Sequence, residues 1–319
     1  MPSNPLKRYQ HGEGSYALVT GATLGMGEEW AHQLAALGFN LIIHGRSQAK
    51  LDAVRAAILA KHATVDVKTA IADAGALPPN LGELEALLPA LSQITVLINN
   101  IGVTSKAFPL FEEAPTEDLL QQIAINDVFP TILTQRVLPT LKRNQPSLIV
   151  NVTSMGAWAP SPYLSAYSGS KAYNLIFSRS LYNEMRCEGN QVDVTTLVPG
   201  QVVSGMNEGP PTANMPTSHD FIRTTISKLS GGLFGVRPPP IMVPWMAHSM
   251  GYLAMQLMPR AMADWAVRST VVDLRKKKLA AEQREKPSED QVVPTMTANS
   301  SAGATANGVH EDGKATMTN

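Results

Sequence analysis

Tyr16-Ala17-Leu18-Val19-Thr20-Gly21-Ala22-Thr23-Leu24-Gly25-Met26-Gly27 is the stretch whose reading decides the fold. Its first four residues are a short apolar run, and a helical pattern over 25–37 follows the glycines. Strand, glycine turn and helix together open a βαβ unit. The glycines allow a tight turn and let the backbone approach a pyrophosphate, whose charge then sits on the helix N-terminus. Their spacing, Gly-x-x-x-Gly-x-Gly, differs from the commoner Gly-x-Gly-x-x-Gly, and glycines alone serve structural turns equally well. Position after the first strand turns the reading toward a dinucleotide, held at Gly21, Thr23, Leu24, Gly25, Met26 and Gly27.

Outward from this stretch the same rhythm repeats. Apolar strand patterns at 16–19, 40–43, 64–71, 95–98, 147–152 and 192–197 alternate with helical patterns at 25–37, 49–61, 81–91, 116–141 and 165–188. Such alternation implies a parallel sheet covered on both faces. Six strands in this order predict an α/β, doubly wound parallel sheet, the Rossmann fold, with ligands at the carboxyl ends of the strands. After Pro199-Gly200 the rhythm breaks into Gly, Pro, Ser and Thr clusters around one helical stretch, 218–229. The expected organisation is a leader at 1–14 and a dinucleotide-binding domain at 15–275 that includes a C-terminal substrate lobe at 201–260. A polar tail at 276–319, disordered in character, completes it.

Composition narrows the function. The 319 residues are 44% hydrophobic and 16% charged, enough for a full core, and the formal net charge is zero. Nothing here points to nucleic acid. The basic cluster Arg275, Lys276, Lys277 and Lys278 reads as a solvated helix end. A single cysteine, Cys187, leaves no intramolecular disulfide and suits a reducing compartment. Asn151-Val152-Thr153 spells a glycosylation sequon inside an apolar strand pattern, which reads as chance. Residues 1–10 carry charge and no apolar run, so no signal or N-terminal anchor is expected. The uncharged stretch 241–258 contains Pro244, His248, Ser249, Gly251 and Gln256, which makes it a poor spanning helix. A core or lid segment fits it better, or a helix lying on a membrane surface.

Several strand ends carry polar groups suited to a cofactor. His44-Gly45-Arg46-Ser47 ends the second strand without the acid that an NAD enzyme places on the ribose, and Arg46 can pair with a 2′-phosphate. NADP is therefore favoured over NAD. Asp73 is placed to accept from the adenine amino group, although a plain turn residue would look identical. Asn99-Asn100-Ile101-Gly102 closes the fourth strand and can line the cleft, as any turn can.

The strongest constellation is Ser154 followed by Tyr167-Ser168-Gly169-Ser170-Lys171. Tyr167 and Lys171, at i and i+4, share a helix face. A nearby ammonium stabilises a phenolate, so the Tyr167 pKa is expected to fall from about 10, fitting it for proton exchange with a carbonyl or alcohol oxygen. The Ser154 hydroxyl, at a strand end, can hold that oxygen. Asn126 lies in a helical pattern four residues before Pro130, which frees backbone groups. A water chain from Asn126 to Lys171 would satisfy it, as would an ordinary place on a helix face. No metal-ligand set is read from the sequence.

Together these residues resemble the short-chain dehydrogenase/reductases across roughly residues 15–275. The matching elements are TGATLGMG (20–27), NNIG (99–102), Asn126, Ser154, YSGSK (167–171) and PGQVVS (199–204), with the family's usual thirteen-residue step from Ser154 to Tyr167. The resemblance implies that Asn126, Ser154, Tyr167 and Lys171 form a catalytic tetrad. It also implies that Lys171 holds the nicotinamide ribose and that Pro199, Val202 and Ser204 meet the nicotinamide end. Met26 stands where the family usually has Ile. Within the family, GSYALVTG (14–21), GFNLIIHGRSQAKL (38–51) and TQRVLP (134–139) look like the hydroxysteroid dehydrogenase and very-long-chain 3-oxoacyl-CoA reductase branch. Its members generally use NADPH, reduce ketones on lipid-like substrates and associate with the endoplasmic reticulum.

The expected function is hydride transfer from NADPH to a ketone on an apolar substrate: a lipid, steroid, terpenoid or polyketide-derived molecule. The lobe residues Phe221, Ile222, Leu229, Leu233, Phe234, Ile241, Met242, Val243, Trp245 and Met246 suit such a molecule, though core packing explains each singly. A biosynthetic ketoreductase is set against a fatty-acid-elongation reductase, and both against a non-catalytic NADP-binding sensor or scaffold. The expected location is intracellular and cytoplasmic, with peripheral contact to the endoplasmic reticulum membrane through 241–260 as the variant. The resemblance also implies a homo-oligomer built on the helices that hold Asn126 and Tyr167.

Overall fold

Parallel strands buried on both faces need near-continuous apolar runs, and β1 (Tyr16–Val19), β2 (Asn40–Gly45), β4 (Ile94–Asn99), β5 (Ser147–Val152) and β6 (Val192–Leu197) supply them. With β3 (Val67–Ile71) and β7 (Ile241–Met242) they form a parallel sheet of order β3-β2-β1-β4-β5-β6-β7. The strand order reverses between β1 and β4, so a crevice opens there above the carboxyl ends. The structure, a computed structural model, describes residues 4–12, 14–90, 93–105, 108–229 and 237–285.

Helices cover both faces. One apolar cluster packs Trp30, Ala31 and Leu34 of α1 (Gly25–Ala36) with Leu51 and Ile58 of α2 (Gln48–Lys61) and Phe221 and Ile222 of α7 (Ser218–Leu229). On the other face lie Leu84 of α3 (Leu84–Ala90), Phe129, Leu133 and Val137 of α5 (Phe129–Arg143), and Leu181 and Met185 of α6 (Ser165–Cys187). Residues 4–12, before β1, are docked on the sheet. Leu6 and Tyr9 are fully buried, and the Tyr9 hydroxyl donates to Asp193 Oδ2 at 2.9 Å at the foot of β6.

Several elements differ from the sequence expectation, each for a physical reason. The helix expected over 116–141 is broken: α4 (Thr116–Ile123) passes into a π-helical turn, Ala124–Val128, before α5 begins. Pro130 has no N–H to give the Asn126 carbonyl, so the regular ladder fails one turn upstream. The third strand begins three residues later than expected, and the third helix also starts later, at Leu84. A seventh strand was not expected. Ile241–Met242 pairs with Thr196–Leu197 of β6, and two residues are too short a pattern to read in advance. The rest of that stretch becomes α8 (Met246–Leu257). Residues 276–285, expected to open the polar tail, continue helix α9 (Arg260–Glu285), and the tail from 286 onward lies outside the described residues.

Among the described residues no helix is long and apolar enough to cross a membrane. Asn151, the sequon residue, is buried within β5.

Candidate active site

The glycine turn closes β1 onto α1. Gly21 and Gly25 take φ of +64° and +62°, backbone that other residues rarely adopt. A Cβ on Gly27 would lie 2.1 Å from the Gly21 carbonyl oxygen and 2.5 Å from Asn100 Nδ2, so strand end and helix start are in direct contact. Thr23 packs against Gly45, which brings the turn beside Arg46 and Ser47. Arg46 is exposed at the end of β2 and forms no ion pair among the described residues; Ser47 stands just before α2 and makes no side-chain capping hydrogen bond there. Asp73 accepts from Gly75 N–H at 2.9 Å, the geometry of a local turn. Asn100 donates through Nδ2 to the Thr20 carbonyl, and its buried Oδ1 has no partner among the described residues. A glycine turn at a helix N-terminus, with an unsatisfied amide oxygen beside it, fits a dinucleotide.

His44 is a residue that sequence reasoning missed. Its Nδ1 accepts from Gly21 N–H at 3.5 Å, its Nε2 lies 3.2 Å from the Ala72 carbonyl, and its ring stacks on Phe129. Burial lowers its pKa to about 4, the Ala72 carbonyl opposing, so a neutral ring bolts the glycine turn to the second and third strands. A histidine inside an apolar strand was the available signal.

At the other end of the crevice, Ser154 follows β5 and Tyr167 lies in the first turn of α6. A Cβ on Gly156 would lie 3.5 Å from the Tyr167 ring and 3.6 Å from Ser154 Oγ, so all three meet. The expected lowering of the Tyr167 pKa is corrected by the structure. Burial pushes the phenol up, and the hydrogen bond with Ser154 pulls it down. Lys171 Nζ stands 5.7 Å from the Tyr167 ring centroid and donates to the Val152 carbonyl at 3.3 Å. Gly102 closes over it: a Cβ there would lie 3.0 Å from Lys171 Nζ.

Asn126 is held by direct hydrogen bonds. Its Oδ1 accepts from Val103 N–H at 2.8 Å, and its Nδ2 donates to the Val103 carbonyl and to Ser170 Oγ, each at 2.9 Å. The carbonyl that Pro130 cannot serve accepts from Asn174 Nδ2 at 2.8 Å. Deeper, Asn151 bonds both Ser178 and Asn99, so buried amides and hydroxyls link α6 to β5 and β4. Next to Asn126 on the π-helical turn is Asp127, also missed. It is buried, and its Oδ1 has no partner among the described residues. Burial raises Asp127 to about 7 against the pull of Lys171, and burial lowers Lys171 to about 8 against the pull of Asp127.

The sequence pattern of the short chain dehydrogenases matches residues 15–213. A very-long-chain 3-oxoacyl-CoA reductase of Pyricularia oryzae is 35% identical over 242 residues, covering 75% of this chain and 71% of the relative. The enzyme of the same name from Scheffersomyces stipitis is 32% identical over 262 residues, covering 78% and 74%. Among solved structures, a 7beta-hydroxysteroid dehydrogenase superposes with a TM-score of 0.67 at 19% identity, over 83% of this chain and 99% of that one. A bulky-bulky ketone specific alcohol dehydrogenase from Comamonas testosteroni gives 0.64 at 20% identity, over 88% and 99%. The chain belongs to the short-chain dehydrogenase family.

In this family member the lobe folds back over the glycine turn. A Cβ on Gly25 would lie 3.1 Å from Ser204 Cβ, and one on Gly205 would lie 2.5 Å from Leu24 Cδ2. Pro199 accepts from Met155 N–H at 3.0 Å, and Val202 is buried. His248 of α8 joins the lobe to this loop: its Nδ1 accepts from Gly200 N–H at 3.2 Å and its Nε2 lies 3.0 Å from the Asn214 carbonyl. The apolar lobe residues divide differently from the expectation. Phe221, Ile222, Leu229 and Met242 are core, Ile241, Val243 and Trp245 are partly covered, and Met246 is exposed. Leu233 and Phe234 lie outside the described residues. The aromatic pair beside the site is Trp158, after Ser154, with Tyr252 of α8, ring centroids 4.9 Å apart.

Proposed function

We propose that this short-chain dehydrogenase is an NADPH-dependent ketoreductase that converts a ketone on an apolar substrate to a secondary alcohol in a biosynthetic pathway. The observation that carries the reading is the convergence of Ser154, Tyr167 and Lys171 beside Gly102 and Asn126, at the carboxyl ends of β4 and β5. Arg46, with no acid at the end of β2, supports NADPH over NADH. The glycine turn with Asn100 would hold the pyrophosphate, Asp73 the adenine, and Lys171 with Pro199, Val202 and Ser204 the nicotinamide end. When bound, that cofactor supplies the hydride.

The chain's own residues handle the proton. Burial keeps the Tyr167 phenol protonated at neutral pH, the form that can give a proton to the oxygen of a carbonyl being reduced. Ser154 holds that oxygen beside the phenol. Lys171, cationic below about pH 8, favours the phenolate left behind. Asn126 fixes Val103 and Ser170, and so the floor under Lys171.

Within this reading, the names of the relatives favour a 3-oxoacyl thioester as the carbonyl substrate. The exposed face of α8 supports contact with a lipid surface. Exposed Leu120 and Ile123 on α4, with Tyr173 and Ile176 on α6, support pairing with a second copy.

Consumption of NADPH over a panel of steroid, terpenoid, polyketide-derived and 3-oxoacyl-thioester ketones tests the function. Tyr167→Phe should lower kcat/KM about 10²–10⁴-fold while NADPH binding, followed by its fluorescence, is kept. A Tyr167→Phe protein with near wild-type turnover removes the assignment.

A further inference from the structure

Among the described residues, Phe108 and Tyr163 are the non-glycine residues with positive φ, +48° and +65°. Aromatic residues take such backbone rarely, and it persists where the surroundings hold it. One side chain touches both. Arg275 Nε donates to the Phe108 carbonyl at 3.0 Å, and the guanidinium carbon stands 4.5 Å from the centroid of the Tyr163 ring. A planar guanidinium can present its edge to a carbonyl and its face to a ring at once. The residue expected as part of a solvated helix end thus bridges two segments far apart in sequence.

Each of those segments lies a few residues from the site. Phe108 lies downstream of Val103, whose backbone holds Asn126. Tyr163 lies one turn before Tyr167, and the loop it ends starts at Ser154. Between them is a narrow cavity of about 50 Å³ lined by Ser105, Pro109, Phe111, Tyr163 and Leu164.

We propose that Arg275 is a positioning residue for the substrate mouth: by gripping the Phe108 carbonyl and the Tyr163 ring together, it sets the spacing between the two segments and so the fit of the ketone. The inference rests on the ketoreductase reading for its kinetic consequence and on the contacts of Arg275 alone for its structural one. The residues proposed to hold the cofactor are not among the contacts of Arg275, so ketone affinity is the quantity this proposal assigns to it.

The experiment compares the full chain as wild type, Arg275→Ala and Arg275→Lys by hydrogen exchange and by steady-state kinetics on the panel above. In Arg275→Ala, the hydrogen-bonded amides of Glu113 and Ala114, held by Leu110 and Phe111, and of Leu164, held by Ser161, should exchange about tenfold faster while β4 and β5 keep their protection. KM for the ketone should rise about fivefold, with kcat and KM for NADPH within about twofold of wild type. Arg275→Lys keeps the charge over Tyr163 and should recover part of both effects. Unchanged exchange in the two segments overturns the proposal. So does faster exchange spread evenly through the chain, or a fall in kcat with ketone KM unmoved. A wild-type protein inactive on every ketone removes the ketoreductase reading instead, and the exchange comparison then decides on Arg275.

Discussion

Helix α6 and helix α8 sort their side chains in opposite senses. In α6 the buried positions include Ser168, Ser170, Lys171, Asn174 and Ser178, polar groups turned toward the sheet. In α8 the exposed positions include Met246, Met250, Leu253 and Leu257, apolar groups along one line of the helix, while His248 faces inward. Each inversion has a cost, and the two costs are met differently. The polar groups of α6 are nearly all hydrogen-bonded, which is the condition for burying them. The apolar stripe of α8 is covered by nothing among the described residues, and a contiguous exposed patch marks a contact surface. Polarity inside points to reaction chemistry; apolarity outside points to a partner.

The inversion at α6 should be visible as a pH dependence of stability. Asp127, beside Asn126 and facing α6, is raised by burial to about 7, so between about pH 4 and 7 the folded state holds a proton that the unfolded state has lost. Its contribution to stability is therefore lost as pH rises through that window, on the order of a few kcal/mol in all. His44, lowered to about 4, acts with the opposite sign: its contribution falls away as pH drops from about 6.5 toward 4. Asp127→Asn removes one and leaves the other, so its stability relative to wild type should climb steadily from pH 4 to 7 in urea melts. A constant difference across the window would mean that Asp127 titrates normally.

The link between the regions should respond next. His248 makes that link, joining α8 to Gly200 and Asn214. A Cβ on Gly200 would lie 2.7 Å from the His248 ring, so the two residues fit only as a pair. Replacing His248 with Ala leaves the Gly200 N–H without its acceptor and should cost about 1–3 kcal/mol in a thermal or urea melt. A loss under about 0.5 kcal/mol would make the lobe an appendage rather than a part held to the loop.

How far the sequence could be read follows the same division. The strands β1, β2, β4, β5 and β6, the glycine turn and the step from Ser154 to Tyr167 were legible because period and spacing are local properties. The π-helical turn was half legible: Pro130 announced a break, but which group would serve the orphaned Asn126 carbonyl depended on Asn174, packed there by tertiary structure. His44 gave only the signal of a histidine inside an apolar strand, and Asp127 gave none, because their shifted pKa values come from burial, which no single position reveals. In the lobe, Phe221 and Met246 look equally apolar in the sequence, yet one is fully buried and the other 75% exposed. Only the docking of α7 on α1 and the orientation set by His248 separate them.

The stripe on α8 gives the smallest effect on stability and the sharpest test of what covers it. Leu253 is 58% exposed, so Leu253→Asp should change stability by no more than about 0.5 kcal/mol. A helix whose apolar face meets the headgroup boundary binds by buried apolar area, helped by nearby cations such as exposed Arg260 and Arg268. Wild-type protein should therefore float with vesicles containing anionic lipid, and Leu253→Asp should float much less, with its melting temperature unchanged. Equal flotation of both would take the lipid contact away from α8. A large loss of stability instead would mean that the stripe is covered within the folded protein, and the contrast with α6 would then reduce to ordinary core packing.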